Sequence, residues 1–255
     1  MIPTLIGMVH LGPLPGAPGF DGDLEAVVGR ARDDAVALAA AGFDGVMVEN
    51  LGDAPFFADD VPKATVAAMV TAVNAVTEAG VPVGVNVLRN DALAALAVAA
   101  ATGAAFVRVN VLAGVMHTDQ GTITGRAAEV ARLRHSLAPD VAILADVFVK
   151  HAVPPPGLTL EQAAADLWGR GGADALVVSG SGTGIAVDEA HLKRVGVAVP
   201  DAPLYTGSGV TAGNVASLLG LCSGVIVGTS VKVGGATTEP VDPQRAAAFV
   251  AAARA

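Results

Sequence analysis

Short runs of Val, Ile and Leu recur along the chain, and an alanine-rich stretch of helical spacing follows each one. The runs predict eight strands, over 5–11, 45–50, 81–88, 106–112, 141–149, 173–180, 203–210 and 224–231. The stretches after them predict helices over 24–41, 63–79, 91–102, 126–137, 159–170, 188–195, 212–220 and 243–253. Strand and helix signals that alternate in this way mean repeated β-α-β units and a parallel sheet. The boundary chemistry agrees. Asp242-Pro243 offers an N-cap with Pro at the first helical turn, Thr159 and Gln162 have capping-box spacing, and Asp91 is a third cap. Gly42, Gly80, Gly103 and Gly172 stand where helices end.

Eight units in 255 residues, with no composition break to serve as a linker, predict one closed (β/α)8 barrel. An open doubly wound sheet is the alternative. A barrel builds its active site from the C-terminal ends of its strands, and that is where the polar residues of this chain collect. His10 ends the first strand and Glu49-Asn50 the second. Asn86 and Arg89 belong to the third, Arg108 and Asn110 to the fourth, with Asp119 in the loop beyond. Asp146 and Lys150-His151 close the fifth, and Ser179 the sixth. Period-two alternation puts Arg108 with Asn110, and Asp146 with Lys150, on the face turned away from the helices. Charges buried there must pair with one another, which predicts pairing among Glu49, Arg108, Asp146 and Lys150.

Composition and charge narrow the function classes. Hydrophobic residues make up 53% and charged residues 15%, so the chain can bury a large core and is not disordered. Mean hydropathy is +0.58, yet Asp, Arg, Gly or Pro breaks every apolar run before the roughly 18 residues of a spanning helix. A net charge of −9 argues against a nucleic-acid partner and against docking on anionic lipid. The single cysteine, Cys222, cannot form an internal disulfide, and Met1–Leu11 has no basic start of a signal peptide. The expectation is a cytoplasmic protein without membrane insertion, for which self-association as a homo-oligomer stays open.

The last two strand ends carry a distinct signal. Gly207-Ser208-Gly209 and Gly228-Thr229-Ser230 let backbone N–H groups approach an anion closely, and Lys232 lies just beyond as a candidate countercharge. A phosphorylated small molecule is the expected ligand. The Gly180–Gly184 loop reads as a substrate loop or lid rather than a dinucleotide fingerprint. No Gly-Lys pair exists to build a Walker A loop, no Gly-x-Ser-x-Gly elbow is present, and no metal-ligand spacing surrounds the histidines. No cofactor or metal is expected. Acid–base chemistry remains, with His10, Glu49, Asp146 and Lys150 as the reactive set. Lys150 is either an electrostatic partner of a general base Asp146 or an amine that attacks a carbonyl; the first is preferred. Asn50, Asn86, Arg89, Arg108, Asn110, Asp119, His151 and Ser179 would orient the substrate.

Several of these stretches together carry a resemblance. Gly7-Met-Val-His-Leu-Gly-Pro-Leu-Pro-Gly16, Val48-Glu-Asn-Leu-Gly-Asp53, Gly84-Val-Asn-Val-Leu-Arg-Asn-Asp91, Val107-Arg-Val-Asn110, Thr118-Asp-Gln-Gly121, Val149-Lys-His-Ala152 and Gly207-Ser-Gly-Val-Thr211 resemble the BtpA family. The resemblance covers essentially the whole chain and implies a (β/α)8 barrel of the phosphate-binding type. The family is named for a thylakoid-associated factor needed for photosystem I accumulation, other members look like products of sugar-uptake operons, and some carry a nucleoside triphosphatase label. Phe148 and Thr124 stand where members often have a polar residue and Glu. Two functions follow as expectations. One is an enzyme acting on a phosphorylated sugar or nucleoside-like compound as a lyase, isomerase or glycosidic hydrolase. The alternative is a non-enzymatic assembly factor of photosystem I biogenesis.

Overall fold

The computed structural model describes residues 2–180, 182 and 187–255. Of the loop expected to act as a lid, Ser181, Thr183 and Gly184 lie outside the described residues. Eight parallel strands close into a barrel, in the order β1 (Leu5–His10), β11 (Gly224–Val227), β10 (Leu204–Thr206), β9 (Ala175–Val178), β7 (Ala142–Asp146), β4 (Phe106–Val109), β3 (Val83–Asn86) and β2 (Gly45–Glu49). The eight helices are α1 (Leu24–Ala41), α2 (Lys63–Thr77), α3 (Ala92–Thr102), α4 (Ala127–Leu137), α5 (Leu160–Gly169), α6 (Glu189–Ala198), α7 (Val215–Leu219) and α8 (Pro243–Ala253). This is the (β/α)8 architecture expected from the alternation. The observed strands are shorter than the apolar runs, because the last residues of each run leave the ladder and enter the loops of the mouth.

Local chemistry sets the helix ends. The Asp23 carboxylate accepts from Ala26 N–H at the start of α1, Asp91 caps α3, and Thr159 and Gln162 form a full capping box on α5. Gly42 and Gly103 close α1 and α3 in the left-handed conformation. No helix among the described residues is long and apolar enough to cross a membrane.

Alternation divides the apolar side chains into two cores. Leu5, Val9, Val46, Val48, Val107 and Val109 point outward and pack beneath the helices. Ile6, Met8, Met47, Phe106, Leu144, Val177, Tyr205 and Ile226 fill the barrel itself. One strand must yield space for this filling. A Cβ on Gly84 would lie 2.1 Å from the Phe106 ring, so β3 carries no side chain where β4 carries its largest.

A small antiparallel sheet at the mouth was not foreseen from the sequence. The loop after β4 folds into a hairpin, β5 (Val115–Thr118) and β6 (Gly121–Thr124), turning on Asp119-Gln120. The loop after β7 contributes β8 (Ala152–Val153) to the same sheet through pairing with β5. His151 reverses the chain into β8 with φ at 57°, a left-handed conformation seldom taken by residues other than glycine.

Lys232 corrects the expectation of a phosphate countercharge. Its ammonium lies 2.6 Å from Asp34 on α1, it is fully buried, and Asp34 also accepts from the Val241 N–H. The lysine ties α1 to the segment between β11 and α8, outside the barrel. Removing one member of a buried ion pair leaves the other uncompensated, at a cost of about 3–5 kcal/mol. Lys232→Met is therefore expected to lose roughly that much stability in urea unfolding. Adding Asp34→Leu should restore most of it, and a double variant no more stable than Lys232→Met would refute the pairing account.

Candidate functional site

Period-two alternation carries a polar ring to the top of the barrel. His10, Glu49, Asn86, Arg108 and Asp146 each stand two residues above an inward apolar or small position on their own strands. A cavity of about 140 Å³ opens within this ring. Its lining includes His10, Glu49, Arg108 and Lys150, together with residues 207–211 and 228–230. The two expected anion loops and four of the expected charged or reactive side chains thus meet in one place.

Arg108 dominates the floor. Its Nη2 donates to both Asp146 oxygens at 2.9 and 3.1 Å, and Nε donates to Oδ1 at 3.3 Å. A further contact reaches Ser179 Oγ at 3.4 Å. Burial disfavours the charge, but Asp146 and Glu49 outweigh it and hold the guanidinium above its ordinary value. Nη1 donates to no acceptor among the described residues, and Arg108 lines the cavity. Asp146 does not line this cavity. Its carboxylate is held by Arg108 and by the Asn110 amide at 3.3 Å, and the residue borders a second cavity beside Val147 and Phe148. The pairing expected among Glu49, Arg108, Asp146 and Lys150 takes the form of Arg108–Asp146. Asn110 accepts from Asn86 at 2.9 Å, and Asn86 also donates to the Arg108 carbonyl. Asn86 and Asn110 therefore brace Arg108 and Asp146 from the adjoining strand end, and neither lines this cavity.

His10 and Glu49 form the second group. Burial, then the positive charges of Lys232 and Lys150, lower His10 to about 3. The ring is neutral, and its Nδ1 lies 3.2 Å from the Thr237 carbonyl, an acceptor that requires the proton on Nδ1. The Nε2 lone pair then faces Glu49 Oε1 across 3.7 Å, a gap suited to a donor held between the two acceptors. Thr237 was missed because a backbone carbonyl leaves no mark in a sequence.

Lys150 stands opposite. The barrel order places the end of β7 directly across from β1, so Lys150 and His10 face one another over the mouth. Its ammonium makes no hydrogen bond and no ion pair within 4.0 Å among the described residues. Burial, then the neighbouring Arg108, lowers its pKa, against the opposing pull of Glu49 and Asp146.

The glycine loops complete the wall. A Cβ on Gly207 would come within 2.9 Å of Ser179 Oγ and 3.1 Å of Arg108 Nη2, and one on Gly228 within 2.8 Å of His10 Cε1. Both glycines are needed for these side chains to lie against the backbone. Among the described residues, the amides of Ser208 and Gly209 on one loop, and of Gly228, Thr229 and Ser230 on the other, donate to no protein acceptor. The Ser208 hydroxyl is engaged with the Gly182 carbonyl, leaving its backbone N–H as the group on offer.

The remaining expected residues lie around this centre. Asn50 is buried and holds two loops together, accepting from Leu88 N–H at 2.7 Å and donating to Asp53. Arg89 is buried under the mouth and donates to the Lys150 carbonyl, fixing the backbone from which that lysine projects. Asp119, at the hairpin tip, and His151 are exposed on the rim, where Asp119 acts electrostatically on both Arg89 and His151. Met8 and Ile226 supply an apolar floor, legible from alternation but not singled out.

Comparisons with known proteins agree with the fold. The chain is 47% identical to the photosystem I biogenesis protein BtpA of Synechocystis over 249 residues, covering 97% of this chain and 87% of that one. Among solved structures, orotidine 5'-phosphate decarboxylase of Pyrococcus horikoshii superposes with a TM-score of 0.60 at 12% identity, covering 98% and 100% of the two chains. N-(5'-phosphoribosyl)anthranilate isomerase of Pyrococcus furiosus gives 0.58 at 14% identity, covering 98% of each. The BtpA family model matches residues 1–255, and the chain belongs to the BtpA family.

Proposed function

We infer that the protein is an enzyme acting on a small phosphorylated sugar or nucleoside-like compound by acid–base chemistry. One observation carries this reading: two loops whose backbone N–H groups have no protein acceptor among the described residues line one cavity together with the Arg108 guanidinium. Converging amides with an adjacent fixed cation match the needs of a phosphate, whose oxygens accept several hydrogen bonds at once. Two barrels of similar fold are named for phosphate-bearing substrates, which supports the assignment. His10 Nε2 and Glu49 would exchange protons with the substrate part beyond the phosphate, and Lys150 would face it from the opposite wall. An assembly role would leave this inward arrangement without a purpose.

Inorganic phosphate at about 100 times its dissociation constant is expected to stabilise the protein by roughly 2.7 kcal/mol, seen as a rise in melting temperature. Ser208→Asp should abolish the rise, because a carboxylate would occupy the anion's place. No rise with phosphate or with sugar phosphates would reject the reading.

Stability should separate Asp146 from Lys150. Asp146→Asn strands a buried guanidinium and is expected to cost about 3–5 kcal/mol in urea unfolding, with phosphate binding weakened as Arg108 loosens. Lys150→Met removes an amine that has no hydrogen-bond or ion-pair partner among the described residues and should stay within about 1 kcal/mol of the parent. Equal losses in the two variants would contradict these roles.

The His10 assignment predicts a flat titration. Because burial holds its pKa at about 3, the ring stays neutral with the proton on Nδ1 from pH 8 down to pH 5. Nitrogen chemical shifts of the histidine rings should therefore show one histidine that does not move over that range. If all five histidines titrate there, the neutral-base role fails.

A further inference from the structure

We propose that Lys150 forms a covalent imine with the carbonyl carbon of a phosphorylated aldehyde or ketone held in the barrel mouth. The proposal rests on the phosphate reading above and names the substrate class of that same site.

The chain has four lysines, and the structure gives them different surroundings. Lys63 and Lys193 are exposed on helices, and Lys193 pairs with Glu189. Lys232 is locked against Asp34 away from the cavity. Lys150 alone lines the cavity, and no carboxylate within ion-pair distance holds a proton on it. Glu49 and Asp146 lie nearby, but Glu49 faces His10 and Asp146 is committed to Arg108. Two arginines, Arg108 and Arg89, oppose a third positive charge at this point. An amine in such surroundings exists in its neutral, nucleophilic form at a lower pH than an exposed lysine.

Placement fits the chemistry. The anion loops follow β10 and β11, while Lys150 follows β7 and faces His10 across the mouth. A ligand anchored by its phosphate would extend its carbon chain between the amine and the His10–Glu49 pair. The nitrogen lone pair of Lys150 forms the C–N bond as the carbonyl π electrons move to oxygen. That oxygen, taking both protons of the amine, leaves as water and the C=N bond closes. Nε2 of His10 and Glu49 are placed to carry those protons. No oxidant, reductant or metal is required. An imine withdraws electrons from the neighbouring carbon, so the supported reactions break or form a bond at that carbon.

The test is reductive trapping. The protein is incubated at pH 7 with dihydroxyacetone phosphate or with dihydroxyacetone, reduced with borohydride, and analysed by intact mass and peptide mapping. The expected result is a single adduct per chain on Lys150, at least about tenfold more with the phosphorylated ketone than with its parent, equivalent to about 1.4 kcal/mol of added binding. Lys150→Arg should lose the adduct, and Lys63→Arg with Lys193→Arg should keep it. Mapping the parent protein decides the site even if Lys150→Arg fails to fold. Adducts spread over Lys63 and Lys193 with Lys150 unmodified would overturn the imine. So would equal labelling of Lys150 by both ketones. A thermal shift with inorganic phosphate, run alongside, separates the two levels. Phosphate stabilisation without trapping refutes the imine and leaves the phosphate reading standing, whereas its absence refutes the reading underneath.

Discussion

The Arg108–Asp146 pair is the interaction on which the mouth depends. A guanidinium inside a barrel is tolerable only if its charge is met there, and Asp146 meets it through three hydrogen bonds. That fork fixes the plane of Arg108 and leaves Nη1 without a protein acceptor among the described residues. Asn86 and Asn110 transmit the constraint across the adjoining strands, so the cation sits on a braced platform rather than on a flexible side chain. The electrostatics of the other groups follow. Arg108 opposes a proton on Lys150, and it lies with Val177 and Ser179 against Gly207, where a Cβ would meet all three.

Buried charge is handled in two ways in the same molecule. At Lys232 a carboxylate cancels the ammonium, and the result is a structural clasp between α1 and the end of the barrel. At Lys150 the nearby carboxylates are engaged elsewhere, and the amine is left in an environment that favours its neutral form. His10 shares that environment. Its burial and its bond to Thr237 leave one ring nitrogen without a proton and facing the ligand space.

Much of this was legible in the sequence, for physical reasons. The barrel follows from eight alternating segments, and the inward set follows from the pleat of each strand. What a pleat cannot supply is the partner. Arg108 and Asp146 are 38 residues apart, and only the register that sets Arg108 beside Leu144 brings the carboxylate one pleat above it. Asp34 is 198 residues from Lys232, so the clasp was read as an anion ligand instead. The hairpin escaped because each arm is four residues long, too short for alternation to rise above the surrounding loop. Asn50 and Asn86 looked like ligand-binding amides, yet at strand ends such side chains also satisfy backbone groups that the ladder no longer pairs.

The bare position of Gly84 beneath the Phe106 ring has a consequence for how sequences of this family can change. Neighbouring strands share that volume, so neither residue is free to drift alone. A larger residue at the glycine is accommodated only after the aromatic has given way to something smaller, and the intermediate step passes through a cavity or a clash. The two sites are thus expected to vary together across relatives or not at all, whatever happens at the mouth above them. The bottom of the barrel sets a pace of divergence that is independent of the chemistry at its top.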